Sequence, residues 1–294
     1  MNKMTINDYQ KLINDNIYKY LPECTSENNK VSDAMKYSLS IGGKRIRPML
    51  VLEFCRVCGG DINKAMPFAA ALEMIHTYSL IHDDLPCMDN DDMRRGMPSC
   101  HIKFGEEYAL LAGDGLLTAA FGVIADSDIA AEKPEVAIKV ISALSRLSGV
   151  CGMIGGQEID LTYENKSAPL SVLEVLDSLK TGALIRCAAY LGVISACNDE
   201  NYLNAADIYA KNIGHAFQIV DDILDVIGDE KALGKPIGSD AQSGKSTYVS
   251  LLGLEKSREY AEKLTDDAVA ALNVFGDESE FLKELAYSLI KRNN

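Results

Sequence analysis

The stretch His82-Asp83-Asp84-Leu85-Pro86-Cys87-Met88-Asp89-Asn90-Asp91-Asp92-Met93-Arg94-Arg95-Gly96 places five carboxylates and two guanidinium groups at the end of an apolar helical run. Carboxylates this close repel one another and are pushed toward their neutral forms unless a cation lies among them. The simplest physical account is a hard divalent metal with oxygen ligands. The arginines add a second demand. Acids and arginines that serve one site fit an anion carrying its own metal, because Mg²⁺ takes one or two carboxylates and completes its octahedron with substrate phosphates and water. A metal-bound diphosphate meets both demands. The run feeding this stretch begins at Asp61, a good helix cap, passes through Ala69 to Ile81 and ends near Asp83, with Pro86 limiting its continuation. His76 and Asp83, seven residues apart, share a face of that helix.

Phe217-Gln218-Ile219-Val220-Asp221-Asp222-Ile223-Leu224-Asp225 is a second acidic cluster in an apolar segment. Gln218, Asp221, Asp222 and Asp225 fall at i, i+3, i+4 and i+7, one stripe of a helix where a bundle is normally apolar. Two acidic clusters on separate helices, facing each other across a bundle interior, would bracket a polynuclear metal site.

These clusters, with Gly42-Gly43-Lys44-Arg45-Ile46-Arg47-Pro48, Lys180-Thr181-Gly182 and Phe217-Gln218, resemble the motif set of the trans-isoprenyl diphosphate synthases, and among them the bacterial farnesyl diphosphate synthases. Five motifs in the family's order, from about Lys44 to Tyr248, make a specific resemblance. It implies an all-α, single-domain bundle of about ten or more helices around a central cavity, the isoprenoid synthase fold, over 1–294. It also implies an activity: Mg²⁺-dependent head-to-tail condensation of isopentenyl diphosphate with dimethylallyl or geranyl diphosphate, giving farnesyl diphosphate (C15).

By the same resemblance Asp83, Asp84, Asp89, Asp221 and Asp225 hold several Mg²⁺ ions, with Asp222 in support. Arg94, Lys180 and Lys235 meet the allylic diphosphate. Lys44, Arg47, His76 and Arg95 meet isopentenyl diphosphate, which carries no metal, and Thr181 and Gln218 present polar oxygens near the forming cation. Lys245 is either a lid contribution or an ordinary surface lysine. A homodimer is implied too. Product length follows from Tyr78 and Ser79, five and four residues before Asp83, which lie roughly 6 to 8 Å below the metals at the helical rise. Tyr78 would floor the cavity and stop growth at C15; small Ser79 leaves room for the alternative, geranylgeranyl diphosphate.

Composition is ordinary for a globular chain of 294 residues, with 47% hydrophobic and 24% charged. A net charge of −14 argues against nucleic acid or an anionic membrane surface as partner, so an anionic substrate must be drawn by local cations and metal. Of eight cysteines, several fall in apolar helical patterns, and Cys55-Arg56-Val57-Cys58 lacks a second pair at zinc spacing, so it reads as structural. The N-terminal MNKMTINDYQ has no signal-type apolar core and no stretch reaches roughly 18 uninterrupted apolar residues. A cytoplasmic protein without a membrane span is expected.

Elsewhere the periodicity predicts helices over 6–20, 108–125, 137–154, 171–194, 202–226, 251–272 and 278–290, with loops over 96–105 and 228–245. Lys44 and Arg47 fall near a helix N-terminus, a natural anion site. The Gly155-to-Asp160 run is compatible with a cavity face, a cap or a dimer contact. No alternating strand run is present. Two other readings remain. His76 with His82-Asp83 resembles helical metal-dependent phosphohydrolases, a reading that leaves the second acidic stripe unexplained. A non-catalytic synthase subunit is the other, against which both acidic motifs are complete.

Overall fold

A computed structural model describes residues 4–23, 27, 29–227 and 246–291. The order of helices is α1 (Ile6–Asn16), α2 (Asn29–Ser40), α3 (Ile46–Val57), α4 (Ile62–Asp83), α5 (Cys100–Phe104), α6 (Glu106–Ala125), α7 (Asp128–Glu132), α8 (Pro134–Ser148), α9 (Met153–Tyr163) and α10 (Leu170–Asp177). After a π-helical turn at Ser178–Gly182 come α11 (Ala183–Ala196), α12 (Glu200–Ile227), α13 (Tyr248–Leu252), α14 (Leu254–Ala271) and α15 (Glu280–Ile290). The expected all-α class is observed, with one addition. Strands β1 (Met93–Arg94) and β2 (Met97–Pro98) pair as a small hairpin where a plain loop was expected.

α4 is the axis of the bundle. Asp61 caps it by accepting from Asn63 N, and nearly all of Ala69 to Ile75 is buried, so every face of this stretch meets protein. α3, α6 and α11 surround it. Small residues set the closest approaches: a Cβ at Gly192 of α11 would lie 2.5 Å from Val51 O of α3, and one at Gly156 of α9 only 2.2 Å from Lys180 N. At the N-terminus Thr5 and Asp8 form a capping box, and Tyr9 of α1 is buried against Glu53 and the edge of Phe281.

Arg45, the N-cap of α3, has a left-handed backbone (φ 52°) and a buried side chain. Its guanidinium donates to Glu73 Oε1 at 2.6 Å, to Asn14 Oδ1 at 3.0 Å and to the Leu39 carbonyl. This one side chain therefore ties α1, the end of α2 and the middle of α4 together.

Two predicted helices are interrupted. The run over 137–154 breaks at Gly149–Gly152, so Gly155 and Gly156 open α9 instead of following a helix; the run over 171–194 is broken by the π turn. By length and mean hydropathy Glu106–Ala125, Pro134–Tyr163 and Leu170–Ala196 are long and apolar enough to cross a membrane, although polar residues interrupt each of them and 61% of the last window is buried inside the bundle. The segment 228–245, with Lys235 and Lys245, lies outside the described residues.

Candidate active site

Asp83 ends α4 and Asp84 caps it; the chain then folds back through Leu85 to Asn90, with Asp89 N donating to Asp83 O at 2.8 Å and Asn90 left-handed (φ 54°). The turn carries Asp89 to Asp83, and the two carboxylates repel. Burial first, then Asp89, push the Asp83 carboxyl up to about 6, against the opposing pull of Lys180. Asp84 is placed differently. It is 2% exposed and takes Arg94 Nε at 3.0 Å, so Arg94 of the hairpin is paired with Asp84 and, at 3.4 Å, with Asp91.

A cation group lies one to two turns up α4. Arg47 NH1 stands 3.3 Å from His76 Nε2, while Arg47 Nε is buried with no partner. Burial brings the Arg47 guanidinium down to about 10, and burial with Arg47 and Arg95 nearby holds His76 well below the usual imidazole range, so the ring is neutral. Arg95, left-handed (φ 51°), donates to the Gly42 carbonyl and fills the space a Gly43 side chain would need, since a Cβ there would be 2.4 Å from its NH1. Guanidinium groups gathered around a neutral imidazole with an unused buried N–H form a site for an anion.

The π turn supplies the third group. Lys180 Nζ binds Asp160 Oδ2 at 2.6 Å, and Thr181 Oγ1 lies 3.4 Å from Gln218 Oε1 of α12. Gln218 Nε2 in turn lies 3.4 Å from Asp222, whose other oxygen accepts from Tyr248 N at 2.8 Å. The acidic stripe of α12 is thus divided: Asp222 and Asp225 are buried, Asp222 is engaged by the chain re-entering at α13, and Asp221 is half-buried. π turns insert one extra residue into a helix and recur at functional sites.

Asp177, just before that turn, is 2% exposed with Oδ2 unpartnered. Burial, then repulsion from Asp222, pushes its carboxyl up to about 8, against a hydrogen bond from Tyr248. An acid raised in the folded state and ordinary (about 4) in the unfolded chain keeps a proton on folding, so stability falls as pH rises between those values and levels off above about 8. Thermal midpoints measured in chelator from about pH 6.5 to pH 8 should decline, and Asp177→Asn, which leaves every histidine in place, should flatten the decline. Parallel curves for the two proteins would remove this assignment.

Part of this set shares a cavity of about 660 Å³: Arg47, His76, Asp83, Lys180 and Thr181 are its polar lining and Tyr78, Met153 and Leu161 are among its apolar walls, while Asp89, Arg94, Arg95 and the acidic stripe of α12 are not in its lining. A larger hollow of about 890 Å³ between Tyr20 and α6 contains none of them. Gln157 and Asp160 also belong to the site, Gln157 lining the cavity with Nε2 buried and unpartnered and Asp160 holding Lys180. Their i, i+3 spacing in the Gly155-to-Asp160 run was the available signal. No three carboxylate, imidazole or thiol groups converge tightly enough among the described residues to hold a metal by themselves. The donor set, carboxylate oxygens of a half-buried Asp83 and of Asp89 that repel one another, fits a hard divalent ion whose shell is completed by phosphate oxygens and water.

A sequence profile of polyprenyl synthetases matches residues 28–285. The chain is 47% identical to the farnesyl diphosphate synthase of Escherichia coli (strain K12), covering 96% of each, and 43% identical to the geranylgeranyl diphosphate synthase of Cyanophora paradoxa, covering 97% of this chain and 94% of the other. Its fold superposes on an apo crystal structure of an FPP/GFPP synthase from Zymomonas mobilis with a TM-score of 0.86 and 39% identity, over 97% of both chains.

Proposed function

The chain belongs to the polyprenyl synthetase family and is a prenyltransferase that elongates prenyl diphosphates; from that premise we propose that it condenses isopentenyl diphosphate with dimethylallyl and then geranyl diphosphate and releases farnesyl diphosphate. The observation that carries this reading is the single cavity with the Arg47–His76 cation group and Asp83 at one end and Tyr78 among its apolar walls.

Each residue has a task in this reading. Arg47, Lys44 and Arg95 hold the diphosphate of isopentenyl diphosphate without metal, and neutral His76 donates or accepts at its edge. Lys180 and Arg94 meet the allylic diphosphate, Arg94 by exchanging Asp84 for it. Asp83 at the end of α4, Asp89 in the turn after it, and Asp221 and Asp225 of α12 would hold magnesium, which would supply neutralisation of the departing charge. Thr181 and Gln218 offer weakly basic dipoles beside the allylic cation. Apolar walls at Met153 and Leu161 keep water from quenching it. In this reading Tyr78, one of the lining residues, is the floor that ends chain growth. Asp222, engaged by Tyr248, supports the stripe.

We also propose a single catalytic domain over 1–294, a cytoplasmic setting and a homodimer; exposed Leu110, Leu111 and Ile138 on α6 and α8 support the dimer. Small Ser79 beside Tyr78 favours geranylgeranyl diphosphate as the second reading. Incubating the purified protein with both five-carbon diphosphates and Mg²⁺ and sizing the products by chromatography tests both. C15 as the main product is expected. C20 would favour the second reading, and absence of any magnesium-dependent prenyl product would end both.

A further inference from the structure

We propose that His82, seated over Gly113, is a positioning residue that holds Tyr78 in place and so sets product length; this rests on the reading of Tyr78 as the cavity floor. Tyr78 and His82 are one turn apart on α4 and both line the cavity. Their rings meet edge to face, with centroids 5.7 Å apart and planes at 75°. The Tyr78 hydroxyl is buried and has no hydrogen-bond partner, so the ring is oriented by packing.

His82 is the better anchored of the two. Its Nε2 lies 3.1 Å from the Leu110 carbonyl of α6 and 4.0 Å from Asp114. The imidazole occupies the space above Gly113, where an added Cβ would stand 2.0 Å from Nε2 and 2.5 Å from Cδ2. Glycine weakens a helix interior, and Gly113 is buried within α6 without a left-handed backbone that would call for it. The imidazole above it supplies the reason. Gly113, His82 and Tyr78 thus form a stack running from α6 into the floor, and none of the acidic or cationic groups of the site takes part in it.

The test is product sizing with His82→Ala, Gly113→Ala, the double variant, His82→Phe and Tyr78→Ala. Because His82 adjoins Asp83, the readout is the C20 to C15 ratio and not the rate. His82→Ala is expected to raise that ratio about fivefold or more, the effect of losing an edge-packed aromatic neighbour. Gly113→Ala should move it the same way by displacing the ring. In the His82→Ala background the Gly113 methyl falls into vacated space and adds nothing, a non-additivity that two independent structural lesions would not show. His82→Phe keeps a ring over Gly113 and should stay at C15, which also guards against a variant that merely folds poorly. Ratios for His82→Ala and Gly113→Ala within about twofold of the unaltered protein, while Tyr78→Ala lengthens the product, would overturn the proposal, as would additive effects. An unaltered protein that makes no C15 product would instead remove the function reading beneath it.

Discussion

Asp83→Ala and Asp221→Ala each lower magnesium-dependent chain elongation by about 10³-fold or more, the scale of losing a preorganised electrostatic contact to a departing anion. Far-UV circular dichroism stays unchanged. The argument for Asp83 is electrostatic. A carboxyl raised to about 6 by burial and by Asp89 holds its charge at a cost that a divalent ion beside it would remove. Alanine relieves that repulsion, so the variant should fold at least as well as the parent while failing in turnover. Asp221 stands one turn from Gln218, whose Oε1 lies 3.4 Å from Thr181 Oγ1 on the cavity wall, so the expected loss at Asp221 tests whether the second acidic group serves the same site as the first. Near-normal kcat in either variant would break the pairing of the two clusters. An equal loss of helical signal and activity would show a folding defect instead.

Arg45→Ala destabilises the fold by about 3–5 kcal/mol, the cost of leaving Glu73 buried and unpaired. The left-handed backbone at Arg45 stores roughly 1–2 kcal/mol of strain, which substitution by glycine would relieve, but that gain is smaller than the loss. Arg45→Gly should therefore still be destabilising. Replacing both partners, Arg45→Met with Glu73→Leu, should recover much of the loss, because a buried pair removed as a unit leaves no orphan charge. Thermal unfolding measures this, with a fall on the order of 10 °C for the single variant. A fall of under about 2 °C would show that Arg45 is not holding α1, α2 and α4 together.

How far this molecule could be read in advance depended on how local each cause was. α4 and α12 were legible because cap, apolar run and acidic ending lie consecutively in the chain. The hairpin at 93–98 was not, since two-residue strands are too short to alternate. The breaks at Gly149–Gly152 and at the π turn stayed hidden for the opposite reason: apolar and small residues continue through them, and only packing interrupts the helix. Site residues behaved likewise. Arg47 and His76, predicted from separate motifs, are brought together at 3.3 Å. Arg45, between the predicted cations Lys44 and Arg47, turns inward to partners Asn14 and Glu73 that come from distant segments. Gln157 and Asp160 had the right spacing but no local feature to choose between cavity and surface, and the pairing of Arg94 with Asp84 needed the hairpin to form first.

The π turn at Ser178–Gly182 leaves a phase difference between the two halves of what would otherwise be one rod. One surplus residue rotates everything beyond it by about 100° relative to an uninterrupted helix. Asp177 is thereby directed into the interior on one side of the insertion, while Lys180 and Thr181 are displayed to the cavity within it. Deleting a single residue here would restore ideal geometry and turn the lysine and threonine off their targets, so in this enzyme the irregular backbone, and not any one side chain, decides which way its reactive wall faces.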